Sequence, residues 1–183
     1  MSRVPTSNLF TAAQTAAHRV DQIVSSPAIP RVLVVGAAGS GKSTVLRTLS
    51  EKLGEAGHAV HILNSHEEIE HIPAEDVLVV DDLHLLEPKR LKAVRARAKD
   101  PEAGLIAGCR PGLRSREQTS VERKLQRSAP PIILGQVSRT DVLAFLKSQK
   151  QEFQDSCIED LLERSGGTPW IMTHVLSVPH GAS

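Results

Sequence analysis

Aromatic side chains are nearly missing from this sequence, which has no Tyr, three Phe and one Trp among its 183 residues. A core must then be assembled from Val, Leu, Ile and Ala, and the stacked-ring platforms that hold single-stranded nucleic acid are excluded. Cysteine is scarce too. Cys109 and Cys157 stand far apart with no further thiols around them, which excludes a disulfide-stapled fold and fits a reducing cytoplasm. No apolar run approaches the ~20 residues of a membrane span. The opening stretch "MSRVPTSNLFTAAQ" lacks the apolar centre of a signal peptide. The formal net charge is only +1, so the chain as a whole has no bias toward nucleic acid or an anionic membrane. These absences leave a cytoplasmic soluble protein of one domain, or of one domain with a small appendage.

What is present is an alternation of short β-branched runs with helical stretches. "SNLFTAAQTAAHRVDQIV" repeats Leu9, Ala13, Ala16, Val20 and Ile23 at helical spacing, and "SSPAIP" then breaks the helix. "RVLVVG", "GHAVHIL", "DVLVVDD", "AGLIAGC" and "PPIILG" read as five strands, several without polar alternation, as expected for strands buried on both faces. Helices are expected from about Lys42 to Glu55 and over "EPKRLKAVRARAK", with Pro88 in the first turn. After Gly135 the strands stop. "SRTDVLAFLKSQK", "SCIEDLLERSG" and "TPWIMTHVLS" are helical, the first two starting at Ser138 and at Asp155 or Ser156. The expected architecture is a three-layer α/β/α fold with a five-stranded parallel sheet and a small C-terminal helical lid. Its divisions are an N-terminal helix and linker (1–29), a nucleotide-binding core (30–136) and the lid (137–183).

Gly36-Ala37-Ala38-Gly39-Ser40-Gly41-Lys42-Ser43 matches G-x-x-x-x-G-K-[ST], the P-loop pattern, and lies between a strand and a helix as that motif requires. Its glycines let backbone N–H groups turn inward around an anion, and the following helix adds the partial positive charge of its N-terminus. Lys42 reaches the terminal phosphates in this reading, Ser43 ligates Mg²⁺, and Thr44 completes the binding run. ATP or ADP with Mg²⁺ is therefore the expected cofactor. Asp81 and Asp82 end the third strand, 39 residues after Lys42. Asp81 is the metal-side acid and Asp82 the acid that polarises an attacking water. On a pleated strand the two would point to opposite faces and so have separate roles.

An acid beside the metal-binding Asp resembles the branch of P-loop proteins that holds the AAA+ and STAND ATPases, in which an extra strand lies between the two motif strands. Most AAA+ members carry Glu where this chain has the shorter Asp82. "VVDDLHLLEP" is further similar to the STAND ATPase domain of LuxR-type transcriptional regulators. So is "LIAGCRP", in which the resemblance implies that Arg110 senses the terminal phosphates, although Cys109 stands where Ser or Thr is expected. "SGGTPWIM" resembles the Gly-x-Pro signature of these proteins, Gly167-Thr168-Pro169, and the resemblance places Pro169 near the adenine or ribose of the ADP-bound form. It covers roughly residues 30–178. It implies catalytic roles for Lys42, Asp82 and Arg110 in slow ATP hydrolysis, self-association in the ATP-bound form, and DNA contact only through a domain absent from this chain. By this reading the sequence is an excised switch domain or a minimal stand-alone relative. The alternatives are an AAA+ machine or loader subunit, and a small-molecule kinase. The kinase reading lacks an Arg-rich lid, because the lid region has only Arg139 and Arg164.

Other features are set aside. His66 and His71 in "HEEIEH" are five residues apart, about 140° around a helix, and do not form a zinc pair. His84 reads as a loop histidine. The basic "KRLKAVRARAK" reads as a solvated helix face, and Arg114, Arg116, Arg123 and Arg127 as a polar segment from which an arginine finger could come.

Overall fold

The computed structural model describes residues 11–63, 76–112, 115–148, 158–160 and 162–163. Helix α1 (Thr11–Val24) leads into strand β1 (Arg31–Gly36) and helix α2 (Lys42–Glu55). Strands β2 (Val60–Leu63) and β3 (Val77–Val80) follow, then a single 3-10 turn at Leu83–Leu85. Helix α3 (Pro88–Lys99), β4 (Gly104–Cys109), α4 (Arg116–Ser128), β5 (Ile132–Leu134) and α5 (Arg139–Ser148) complete the order. All five strands are parallel, in the spatial order β2-β3-β4-β1-β5. Strand β4 therefore lies between β1 and β3, the two strands that carry the motifs. No helix among the described residues is long and apolar enough to cross a membrane.

Strand periodicity sorts the core into two layers. Val32, Val34, Val77, Val79 and Ile106 face one side, where they meet Leu46, Leu49 and Leu53 of α2 and Ala16 and Val20 of α1. Leu33, Leu78, Val80, Leu105, Ala107 and Cys109 face the other, against α3 and α4. All six residues of β4 are buried, which suits a central strand covered on both sides. The core contains no aromatic side chain among the described residues.

Residues 115–127 correct the sequence reading, Arg114 lying outside the described residues. Most of that segment is helix α4, begun by a capping box in which Ser115 Oγ accepts from Gln118 N at 3.2 Å and Gln118 Oε1 accepts from Ser115 N at 2.9 Å. Its buried stripe is Gln118, Val121, Glu122 and Leu125. Half of that stripe is polar, so hydrophobic periodicity missed it. In α5 Ser138 is the expected cap, exchanging hydrogen bonds with Asp141. The starts at Asp155 or Ser156, the His66/His71 pair and the Gly167-Thr168-Pro169 segment lie outside the described residues.

Opposite the motif end of the sheet, Arg31 ties three elements together. Its guanidinium donates to the carbonyls of Ala98 (2.8 Å), Ala103 (2.6 Å) and Asp100, and its Nε donates to Ser128 Oγ at 3.2 Å. A cation at the last carbonyls of α3 is also where the helix dipole favours it. Arg31→Met should lower stability by about 2 kcal/mol, because the carbonyls lose charged donors. A urea titration checks this. Nucleotide affinity should not change, since the loop lies about 16 Å away along β1.

Candidate nucleotide site

The loop between β1 and α2 has the backbone its glycines permit. Gly39 (φ 72°) and Gly41 (φ 94°) are left-handed, and Gly41 is the N-cap of α2. A side chain at either position would be strained. Lys42 opens α2 at only 5% exposure, with its ammonium donating to Ala37 O at 3.0 Å. Ser40 Oγ is buried in the same loop with no hydrogen-bond partner. Ser43 and Thr44 stand exposed in the first turn of the helix. Positive-φ glycines, a helix N-terminus, a sequestered lysine and an orphan hydroxyl make a cradle suited to a phosphate chain.

The acid pair is arranged differently from the strand-based expectation. Strand β3 ends at Val80, and Asp82 has φ 50° and ψ 58°, making it the one non-glycine with positive φ among the described residues. Asp81 Oδ1 accepts from Asp82 N at 2.9 Å across this turn, and Asp is among the residue types most often found in the left-handed region. A left-handed turn, and not the pleat, separates the two carboxylates.

Asp82 is brought together with Arg110 and His84. Its Oδ1 lies 3.8 Å from Arg110 Nε, at the end of β4, and 3.6 Å from His84 Nδ1 in the 3-10 turn. Neither distance is a hydrogen bond. Asp82 Oδ1 and both ring nitrogens of His84 are buried without hydrogen-bond partners. His84, set aside as a loop histidine, thus shares the local environment of the acid and the arginine.

Gly108 was not singled out in the sequence, yet it adjoins both motifs. A Cβ there would lie 2.9 Å from Leu46 Cδ1 of α2 and 3.2 Å from Asp81 Oδ1. The signal was available as a glycine inside the strand run "LIAGC", where close approach of another group is a usual cause.

Among solved structures the chain is similar to a point variant of RuvB from Thermotoga maritima, with a TM-score of 0.57 and 17% identity over 88% of this chain and 59% of that one. It is also similar to AMPPCP-bound DnaA from Aquifex aeolicus, with a TM-score of 0.57 and 15% identity over 98% of this chain and 64% of that one. The fold is that of a P-loop NTPase. Both neighbours are AAA+ P-loop ATPases, and this chain spans less than two thirds of the length of either. No protein-family model and no curated protein matches the chain.

The Mg²⁺-holding role that the sequence leads one to expect of Asp81 can be tested at Gly108. Gly108→Val should displace Asp81 and Leu46, weakening ATP binding in Mg²⁺ by about tenfold, or about 1.4 kcal/mol. Binding measured in EDTA should change much less. Equal losses in both conditions would mean that the valine disturbs the loop itself.

Proposed function

We propose that this P-loop domain binds ATP and ADP, hydrolyses ATP slowly, and acts as the nucleotide-gated switch of a STAND-type regulator of the kind found in LuxR-type proteins. The observation that carries nucleotide binding is the loop, with left-handed Gly39 and Gly41, α2 starting at Lys42, and the lysine ammonium already held inside. Residues Gly36 to Thr44 would take the phosphates. Ser43 and Asp81 would hold Mg²⁺, which supplies charge neutralisation between the phosphates. Their chemistry suits it: a free hydroxyl on the first helical turn, and a carboxylate whose second oxygen has no hydrogen bond among the described residues. Pro169 would pack near the adenine or ribose.

The switch reading rests on Asp82 and Arg110. A guanidinium 3.8 Å from Asp82 would divide its donors between that carboxylate and a terminal phosphate within its reach. ATP and ADP would then favour different positions of Arg110, and a difference in affinity is what moves an equilibrium between two states. Asp82 is short, turned left-handed and set between Arg110 and His84, which supports slow polarisation of water in place of rapid turnover. The domain would work in the cytoplasm and self-associate when ATP-bound. A working AAA+ machine is the second reading, favoured by the likeness to RuvB and DnaA. Gel filtration with AMPPCP separates the two, since a discrete ring supports the machine.

Lys42→Ala should lose most ATP affinity while keeping the wild-type unfolding midpoint. Equal titrations of variant and wild type would remove the phosphate-loop assignment.

Arg110→Ala should narrow the ratio of ATP to ADP affinity, as read by competition binding. In a steady-state assay the wild-type domain should turn over at ~10⁻⁴ to 10⁻² per second, the range of P-loop proteins without an arginine finger in trans. A rate above about one per second would favour the machine.

A further inference from the structure

Near-neutral overall charge conceals a strongly polarised surface. Helices α3 and α4 pack side by side on one face of the sheet. Helix α3 carries six Lys and Arg and no acid, while α4 carries four against Glu117 and Glu122, of which Glu122 is buried. The whole chain has 22 cations against 21 acids, so the remainder is net acidic and this face holds the excess of positive charge.

On α4 the charges form a row. Arg116, Thr119, Ser120, Arg123, Lys124 and Arg127 line a shallow depression of about 380 Å³. They recur at helical spacing opposite the buried stripe, and none of the four cations has an ion pair among the described residues. Folding does not ask for this arrangement. Like charges four apart, as at Arg123 and Arg127, are mildly destabilising, and Arg116 sits at the first turn, where the helix dipole disfavours a cation.

We infer that the α4 face, flanked by α3, is a docking surface for the phosphate backbone of a nucleic-acid duplex. The row from Arg116 to Arg127 runs about 16 Å along the helix. A duplex presents one negative charge per about 1.7 Å of its axis, so several phosphates face the row at once. Arg forks suit phosphate oxygens, and the Thr119 and Ser120 hydroxyls add donors of the type that contact backbone without reading sequence. A bilayer fits less well, because neither helix exposes a large apolar side chain that could insert. Single strands fit less well, because neither helix carries an aromatic ring for stacking.

The test uses the full chain and a fluorescein-labelled DNA duplex of about 20 base pairs in anisotropy titrations between about 50 and 200 mM salt. Four neutralised phosphates predict a log–log salt slope of about −3.6, or roughly a hundredfold loss of affinity across that range. Arg123→Ala with Arg127→Ala should halve the slope and cut the loss to about tenfold. Arg19→Ala with Arg47→Ala, on α1 and α2, should leave both unchanged, and all variants should keep the wild-type unfolding midpoint. Four outcomes would overturn the inference: no duplex binding at the lowest salt, an unchanged slope in the α4 variant, tighter binding to an oligonucleotide single strand, or tighter binding to phosphatidylserine vesicles. The outcome does not depend on the nucleotide reading, because none of these residues belongs to the phosphate loop.

Discussion

Placement of β4 between β1 and β3 is the constraint from which the site follows. Parallel strands lie about 4.8 Å apart, so two intervals hold the phosphate loop and the acid pair about 10 Å from each other. Strand β4 is buried along its whole length and pairs with both neighbours, which makes that spacing rigid. Gly108 keeps the gap clear at the point where a side chain would press on Asp81 and Leu46. Arg110 is delivered to Asp82 by the same strand, because it follows the last residue of β4. One strand insertion thus sets the separation, the clearance and the arginine.

Much of this was legible from residues alone, and the exceptions have physical causes. The loop from Gly36 to Ser43 announces itself because only glycine accepts its backbone and only lysine supplies its charge. The resemblance of Asp81-Asp82 to one branch of P-loop proteins already implied an intervening strand, and β4 occupies that place. Helix α4 was hidden because Gln118 and Glu122 fill half of its buried stripe, so its cap was a better signal than its periodicity. The turn at Asp82 was hidden for another reason. It is accompanied by one local hydrogen bond from the backbone to Asp81, and no repeat in the sequence reports a single bond.

Charge was legible in total and illegible in distribution. Counting gives near balance, and each basic stretch alone reads as a solvated face. Only the packing of α3 against α4 puts the two stretches on one side of the sheet. The missing helix assignment and the missed charge polarity are therefore one omission, since residues 116–127 had to be helical before their cations could form a row.

Arg31 carries a consequence for the order of assembly. Its acceptors lie 67 to 97 residues along the chain, in the last turn of α3, the loop before β4 and the end of α4. None of them exists as a fixed target until both helices have docked on β1, whereas the loop and α2 form from neighbouring residues. Contacts of such long sequence span are expected to form late, on the native side of the folding barrier. An interaction absent from that barrier leaves the folding rate nearly untouched and acts on the rate of unfolding. On that expectation, the main effect of Arg31 is on how long a folded molecule stays folded.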